Sequence, residues 1–246
     1  MRAFAKTDIG RVRSMNQDAY YYSVDPVGNL PNLFIVADGM GGHKAGDYAS
    51  RTSISSFVKF ARNAKETTPS RIIDQGIMAV NQAIYSKSLE DSRYEGMGTT
   101  IVVAYIVGNQ LFAANVGDSR LYLIGEEASQ VTEDHSYVAE MVRAGEMTKE
   151  QARNHPRKNI ITRAIGVSED VNADYFEVDL QPGDKILLCS DGLTNMLTDE
   201  EIYRVITQTP VEEAPSVLID EANSNGGYDN VTALVIEPCI KEDDEC

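Results

Sequence analysis

Apolar positions along the chain follow two periods, and each predicts its own elements. TTIVVAYIV from Thr99, QLFAANV from Gln110 and RLYLI from Arg120 are short runs rich in β-branched and aromatic residues, the signature of strands. Gly108-Asn109 separates the first two runs and marks a two-residue hairpin, while Gly125-Glu126 closes the third before ASQVT. Links this tight join antiparallel neighbours, because a parallel crossover needs a dozen or more residues. A doubly wound parallel sheet is therefore disfavoured. NLFIVADG and KILLCSDG read as buried strands that end in Asp-Gly, and VTALVIEP reads as another, led in by Asp229-Asn230.

The second period is helical. Between Ala45 and Arg62, the residues Ala45, Tyr48, Ala49, Phe57, Val58 and Ala61 recur largely at three-to-four-residue spacing. Thr68-Pro69 is a cap followed by a first-turn proline, ahead of Ile72, Ile73, Val80, Ala83 and Ile84. Thr198 with Glu201 makes a capping box, as does Thr148 with Gln151 on a very short helix. A last helix runs from about Val211 to Ser224 and stops at Asn225-Gly226-Gly227. With no internal repeat and no long linker, the prediction is one α+β domain over 1–238, helices packed on antiparallel sheets. An acidic, flexible tail at 239–246 follows it.

Composition narrows the function classes. The chain has 246 residues, and 22 basic against 38 acidic side chains give a formal charge of −16. That balance repels a polyanion, so nucleic acid and anionic membrane are poor partners. IVVAYIV is the longest apolar run and is strand-sized, short of the roughly 18–20 residues of a membrane helix. MRAFAKTDIG has no apolar signal core, and Cys189, Cys239 and Cys246 show no paired spacing, so a reducing cytoplasm is expected. Asn230-Val-Thr232 matches a glycosylation pattern that carries no meaning there.

Chemistry gathers at strand ends. Asp38 ends LFIVAD, Asp191 follows ILLCS, Asp118 follows LFAANVG and Asp229 precedes VTALVI. Any one of these alone is as well explained by an Asp-Gly turn. Four together, without a matching basic cluster, point to a hard cation held by oxygen, Mg²⁺ or Mn²⁺. Zinc lacks support, since His43, His135 and His155 are scattered. Gly117-Asp-Ser119-Arg-Leu121 lacks the second glycine of a nucleophile elbow, and GGHKAGD places Asp47 where a phosphate loop needs lysine. Arg13, five residues before Asp18, is by itself an ordinary surface charge. Beside several metal-binding carboxylates it becomes a candidate for bidentate phosphate recognition.

TDIGRVRSMNQD, FIVADGMGGHKAGDYAS, GMGTT, NVGDSRLYL, RNHPRKNIITRAIG, CSDGL and GYDNVTALVI occur in this order from about Thr7 to Ile236. This series resembles the metal-dependent protein phosphatase family, the type 2C serine/threonine phosphatases, in their compact bacterial form. The resemblance implies a β-sandwich of two antiparallel sheets flanked by helices, with a binuclear metal centre at one edge. It implies that Asp38 bridges two metals beside the Gly39 carbonyl, and that Asp191 and Asp229 complete the second. It further implies that Asp18 holds metal-bound waters, that Asp118 with Asp191 forms a weaker third-metal site, and that Arg13 binds the substrate phosphate. The segment from about Ser136 to Gly166 resembles the family's flap, where phosphoproteins are contacted.

Two departures from the eukaryotic pattern stand out. Gln17 replaces a glutamate, and Met40 follows Asp38-Gly39 where the eukaryotic pattern has a histidine general acid. His43 is the candidate substitute for that acid, against a structural or exposed role. The implied reaction is direct hydrolysis of phosphoserine and phosphothreonine in proteins by a water bridging two cations, with no phosphoenzyme. Implied partners are phosphorylated proteins, including a serine/threonine kinase and its targets, and the chain is expected to act as a monomer. Two rival readings are a catalytically silent phosphatase-like binding module and a metal-dependent small-molecule phosphoesterase.

Overall fold

The computed structural model describes residues 1–42 and 44–240. Eleven strands form two sheets: β1 (Arg2–Asp8), β2 (Asp18–Ser23), β3 (Leu33–Met40), β4 (Gly98–Thr99), β5 (Ile101–Val107), β6 (Gln110–Val116), β7 (Arg120–Ile124), β8 (Ala128–Gln130), β9 (Asp174–Asp179), β10 (Lys185–Cys189) and β11 (Val231–Glu237). One sheet has the order β1-β11-β10-β7-β8, and the other β2-β3-β5-β6-β9 with β4 paired to β3. The pairs are antiparallel throughout, and the Gly108-Asn109 hairpin closes on Val107 opposite Gln110.

The helices are α1 (Lys44–Asn63), α2 (Pro69–Glu90), α3 (Tyr137–Arg143), α4 (Lys149–Arg153), α5 (Asp191–Thr194), α6 (Asp199–Gln208) and α7 (Ala214–Ser224). Long helices cover the outside of both sheets, giving an order of helix, sheet, sheet, helix. Side chains alternate across each strand, which sorts the core into three layers. Phe34, Val36, Val102, Ala104, Leu188 and Leu234 meet between the sheets. Ile35, Ala37, Val103 and Tyr105 turn outward onto Phe57, Ile72 and Ile77 of α1 and α2. Leu187, Cys189, Ala233 and Val235 pack on Ile202, Val205 and Leu218 of α6 and α7. Central strands buried on both faces must be apolar at nearly every position, which is why they read as near-continuous runs. Among the described residues, no helix is long and apolar enough to cross a membrane.

Three strands, β1, β2 and β9, carry no unbroken apolar run and escape the pattern reading; each is the edge of a sheet. The capping boxes at Thr148 and Thr198 form with both reciprocal bonds. Thr68 does stand at the N-cap of α2, but its side chain accepts nothing there. The Glu66 carboxylate instead accepts the amides of Thr67 and Thr68, at 2.8 and 2.9 Å. α7 begins at Ala214, three residues later than the pattern places it.

Candidate active site

The five aspartates singled out in the sequence come together at one end of the sandwich, and two sheets supply them. Asp18 opens β2 directly opposite Asp38 on β3. From the other sheet, Asp191 follows β10 as the first residue of α5, and Asp229 stands two residues before β11. Asp118 lies in the turn between β6 and β7. Antiparallel pairing across each sheet thus brings chain positions 18 to 229 to a single edge.

The charges are poorly compensated. Asp18 is 1% exposed, and burial raises its pKa to about 7, with the nearby charges of Asp191 and Asp229 adding to the shift. Hydrogen bonds from the Ser190 and Thr232 hydroxyls, each 2.7 Å to Oδ2, pull the other way. Asp191 rises to about 6, again through burial and then through Asp229. Asp38 and Asp118 are held well above the usual carboxylate range by burial and by the other aspartates. Asp18 Oδ1 and Asp191 Oδ1 are buried with no hydrogen-bond partner among the described residues. A crowd of acids with orphaned oxygens costs stability unless cations join it.

Arg13, on the loop between β1 and β2, donates from Nη2 to Asp229 Oδ2 at 2.7 Å and is half exposed at the rim. That loop is pinned by Asn230, which sequence reasoning left aside as part of a glycosylation pattern. Its Oδ1 accepts the Gln17 amide at 2.8 Å, and its Nδ2 donates to the carbonyls of Ile9 and Met15 at 2.9 Å each. Asn230 is 4% and Thr232 0% exposed, so both halves of that pattern serve the site from inside the fold. Two glycines permit the crowding. A Cβ on Gly192 would fall on the Asn230 carbonyl, and one on Gly39 would fall on the Gly46 carbonyl where α1 begins.

Ser119, rejected above as a nucleophile, is fully buried and shares a 2.7 Å hydrogen bond with Thr100. The Cys189 thiol is pushed up to about 12 by burial and is equally inert. His135 is buried: its Nδ1 accepts the Gly117 amide at 3.0 Å, and its Nε2 meets Asp174 Oδ2 at 3.0 Å. It ties the Asp118 turn to the segment 136–166, whose Thr162 amide bonds the His135 carbonyl at 2.8 Å. His43 lies outside the described residues.

The donor set suits a divalent cation. It is all oxygen, which favours hard ions. Among the described residues no three His, Cys, Asp or Glu side chains make a ready-made ligand cluster. Mg²⁺-like ions need none, since they keep several waters and take only one or two carboxylates directly. The two orphaned carboxylate oxygens are where such hydrated ions would be balanced.

Comparison with known proteins agrees with this geometry. Residues 27–231 match the family described as protein phosphatase 2C. The chain is 44% identical to the serine/threonine phosphatase stp of Listeria monocytogenes serotype 4b (strain F2365), over 96% of each chain. Its structure matches that of the S. agalactiae serine/threonine phosphatase with a TM-score of 0.88 and 38% identity, over 95% of this chain and 98% of that one. The catalytic domain of the serine threonine protein phosphatase PstP, solved with two manganese ions, matches at a TM-score of 0.83 and 35% identity, over 95% and 96% of the two chains. A largely half-buried aspartate cluster at the edge of a two-sheet sandwich and full-length likeness to these enzymes place the chain in the protein phosphatase 2C family.

Proposed function

We propose that this serine/threonine protein phosphatase works by direct hydrolysis at the aspartate cluster, with two divalent cations, Mn²⁺ or Mg²⁺, and a weaker third. Asp38, with the Gly39 carbonyl beside it, and Asp191 and Asp229 would hold the two core ions. Asp118 with Asp191 would hold the third. Asp18 would act from behind, ordering bound water while the Ser190 and Thr232 hydroxyls fix its own carboxylate. When bound, the cations supply a nucleophilic water near neutral pH and offset the charge of the phosphoryl group.

The observation that carries this reading is the pair of buried carboxylate oxygens, on Asp18 and Asp191, that no donor among the described residues satisfies. Arg13 supports it. Its guanidinium sits at the rim against Asp229, and once that carboxylate serves a cation the fork of N–H donors turns to the substrate phosphate. Water adds to phosphorus, the bond from phosphorus to the serine or threonine oxygen breaks, and the products are the alcohol and inorganic phosphate. The buried states of Ser119 and Cys189 speak against a covalent phosphoenzyme.

The physiological substrates on this reading are phosphoproteins, among them a serine/threonine kinase and its targets, met by a monomer in the cytoplasm. The test is turnover of a phosphothreonine peptide with Mn²⁺, repeated with Asp38→Ala and Asp191→Ala. Both variants are expected to lose at least a hundredfold in kcat. Unchanged turnover in both would refute the reading.

A further inference from the structure

A cleft of about 440 Å³ leads away from Asp118 and Asp191, between the segment 136–166 and the edge formed by β7, β8 and α5. Its lining carries five basic and five acidic side chains, but they are unevenly placed. Arg120 closes on Asp134 at 2.7 Å and Arg143 on Glu133 at 2.8 Å, so those four neutralise one another in pairs. Asp118 and Asp191 belong to the hydrolytic centre. Lys149, Arg153 and Lys158 remain on the wall contributed by 136–166, against a single carboxylate, Asp199. Asp199 is itself engaged, accepting the Tyr122 hydroxyl at 3.2 Å. Arg153 also reaches the charge of Glu200, whereas Lys149 and Lys158 enter no ion pair among the described residues. In a chain of net charge −16, three cations on one wall of a cleft whose acidic residues lie mainly at its catalytic end are a local concentration of positive charge.

We propose that this cleft receives the substrate chain beside the phosphorylated residue and selects acidic side chains there, with Lys149 and Lys158 as specificity-determining residues. The proposal rests on the hydrolytic reading of the aspartate cluster and names the substrate class of that site. The physical argument is complementarity. An acidic protein repels acidic peptides over most of its surface, so a basic wall at the catalytic mouth both orients them and raises their capture rate. The effect belongs to binding rather than chemistry, because neither lysine reaches the carboxylates that carry the reaction.

The experiment compares two phosphothreonine peptides, identical except for flanking glutamates in one and glutamines in the other, with p-nitrophenyl phosphate as a substrate too small to reach the wall. The wild-type enzyme with Mn²⁺ is expected to favour the acidic peptide by about tenfold in kcat/KM, mostly through KM, the scale for a few exposed ion pairs acting together. That preference is expected to fade as salt is raised. In Lys149→Ala/Lys158→Ala the preference should shrink to about twofold or less while p-nitrophenyl phosphate turnover stays unchanged. Lys149→Glu/Lys158→Glu should reverse it in favour of the neutral peptide. Equal kcat/KM for both peptides in the wild type, or a preference that survives both variants, overturns the proposal. Absence of wild-type turnover on all three substrates would instead overturn the hydrolytic reading beneath it.

Discussion

Replacing Asp18 with asparagine separates the cost of the carboxylate cluster from its use. In the cation-free protein, burial and neighbouring acids raise the pKa of Asp18 from 3.8 to about 7. Each tenfold change in proton affinity is worth ~1.4 kcal/mol, so forcing Asp18 to ionise inside the fold costs at most ~4 kcal/mol. Because the folded-state pKa lies above the unfolded one, the stability tied to this group is complete below about pH 4 and is lost as pH rises through 7. Asparagine keeps an oxygen for the Ser190 and Thr232 hydroxyls and carries no charge. In EDTA, Asp18→Asn is therefore expected to raise stability at pH 8 by up to ~4 kcal/mol, or ~10 °C in Tm for a domain of this size, and by only ~1.5 kcal/mol at pH 5. Thermal denaturation followed by circular dichroism at the two pH values measures this. Adding Mn²⁺ should return the advantage to the wild type, since the cation then offsets the charge that asparagine lacks. An equal shift at both pH values, or a loss at pH 8 in EDTA, would refute the electrostatic account of the site.

Other perturbations follow from the same geometry. Asn230→Ala removes three hydrogen bonds that hold the Arg13 loop, and is expected to lower stability by ~2–4 kcal/mol in urea denaturation and to depress turnover as well. Arg13→Ala should raise KM for a phosphopeptide and weaken inhibition by inorganic phosphate about tenfold or more, while metal affinity measured by calorimetry holds. Gly192→Ala places a methyl group on the Asn230 carbonyl and should cost more than ~2 kcal/mol, with metal binding falling alongside, since Asp191 adjoins the shifted backbone. His135→Ala leaves the Gly117 amide buried and unpaired. It is expected to lower Tm by several degrees while proteolysis of 136–166 speeds up.

What the sequence reveals depends on where each residue's partners lie. Central strands such as β5, β10 and β11 are legible because burial on both faces leaves few polar positions to interrupt them, Thr232 of β11 being one. β1, β2 and β9 have one open edge and mix polar with apolar residues. In β9, DYFEVD, the alternation of exposed and half-buried positions is present but short, and its charges resemble a loop. The metal-type aspartates are conspicuous for a local reason: a charge directly against an apolar strand needs an explanation wherever it occurs. Ser190, Thr232 and Asn230 offer no such local oddity. Their hydrogen bonds reach Asp18 and the Arg13 loop across 172 to 221 positions of chain, and only the folded register brings them there. Thr68 shows the opposite failure. The residue type at the N-cap is right, yet its hydroxyl caps nothing, and the side-chain acceptor at this end, Glu66, takes the Thr67 and Thr68 amides just before the helix.

The division of the cluster between two sheets has a consequence for how this enzyme can change. Asp18 and Asp38 ride on one sheet, Asp191 and Asp229 on the other, and the chain passes between the sheets several times before the last strand is laid down. No contiguous stretch of the gene encodes a working half. A severed or recombined copy inherits only part of the aspartate cluster, and two fragments regain it only by docking their sheets face to face. Divergence is thereby steered toward the rims and the 136–166 segment, where a swap of side chains leaves undisturbed how the two halves meet and, on the proposal above, would alter which phosphoproteins are chosen.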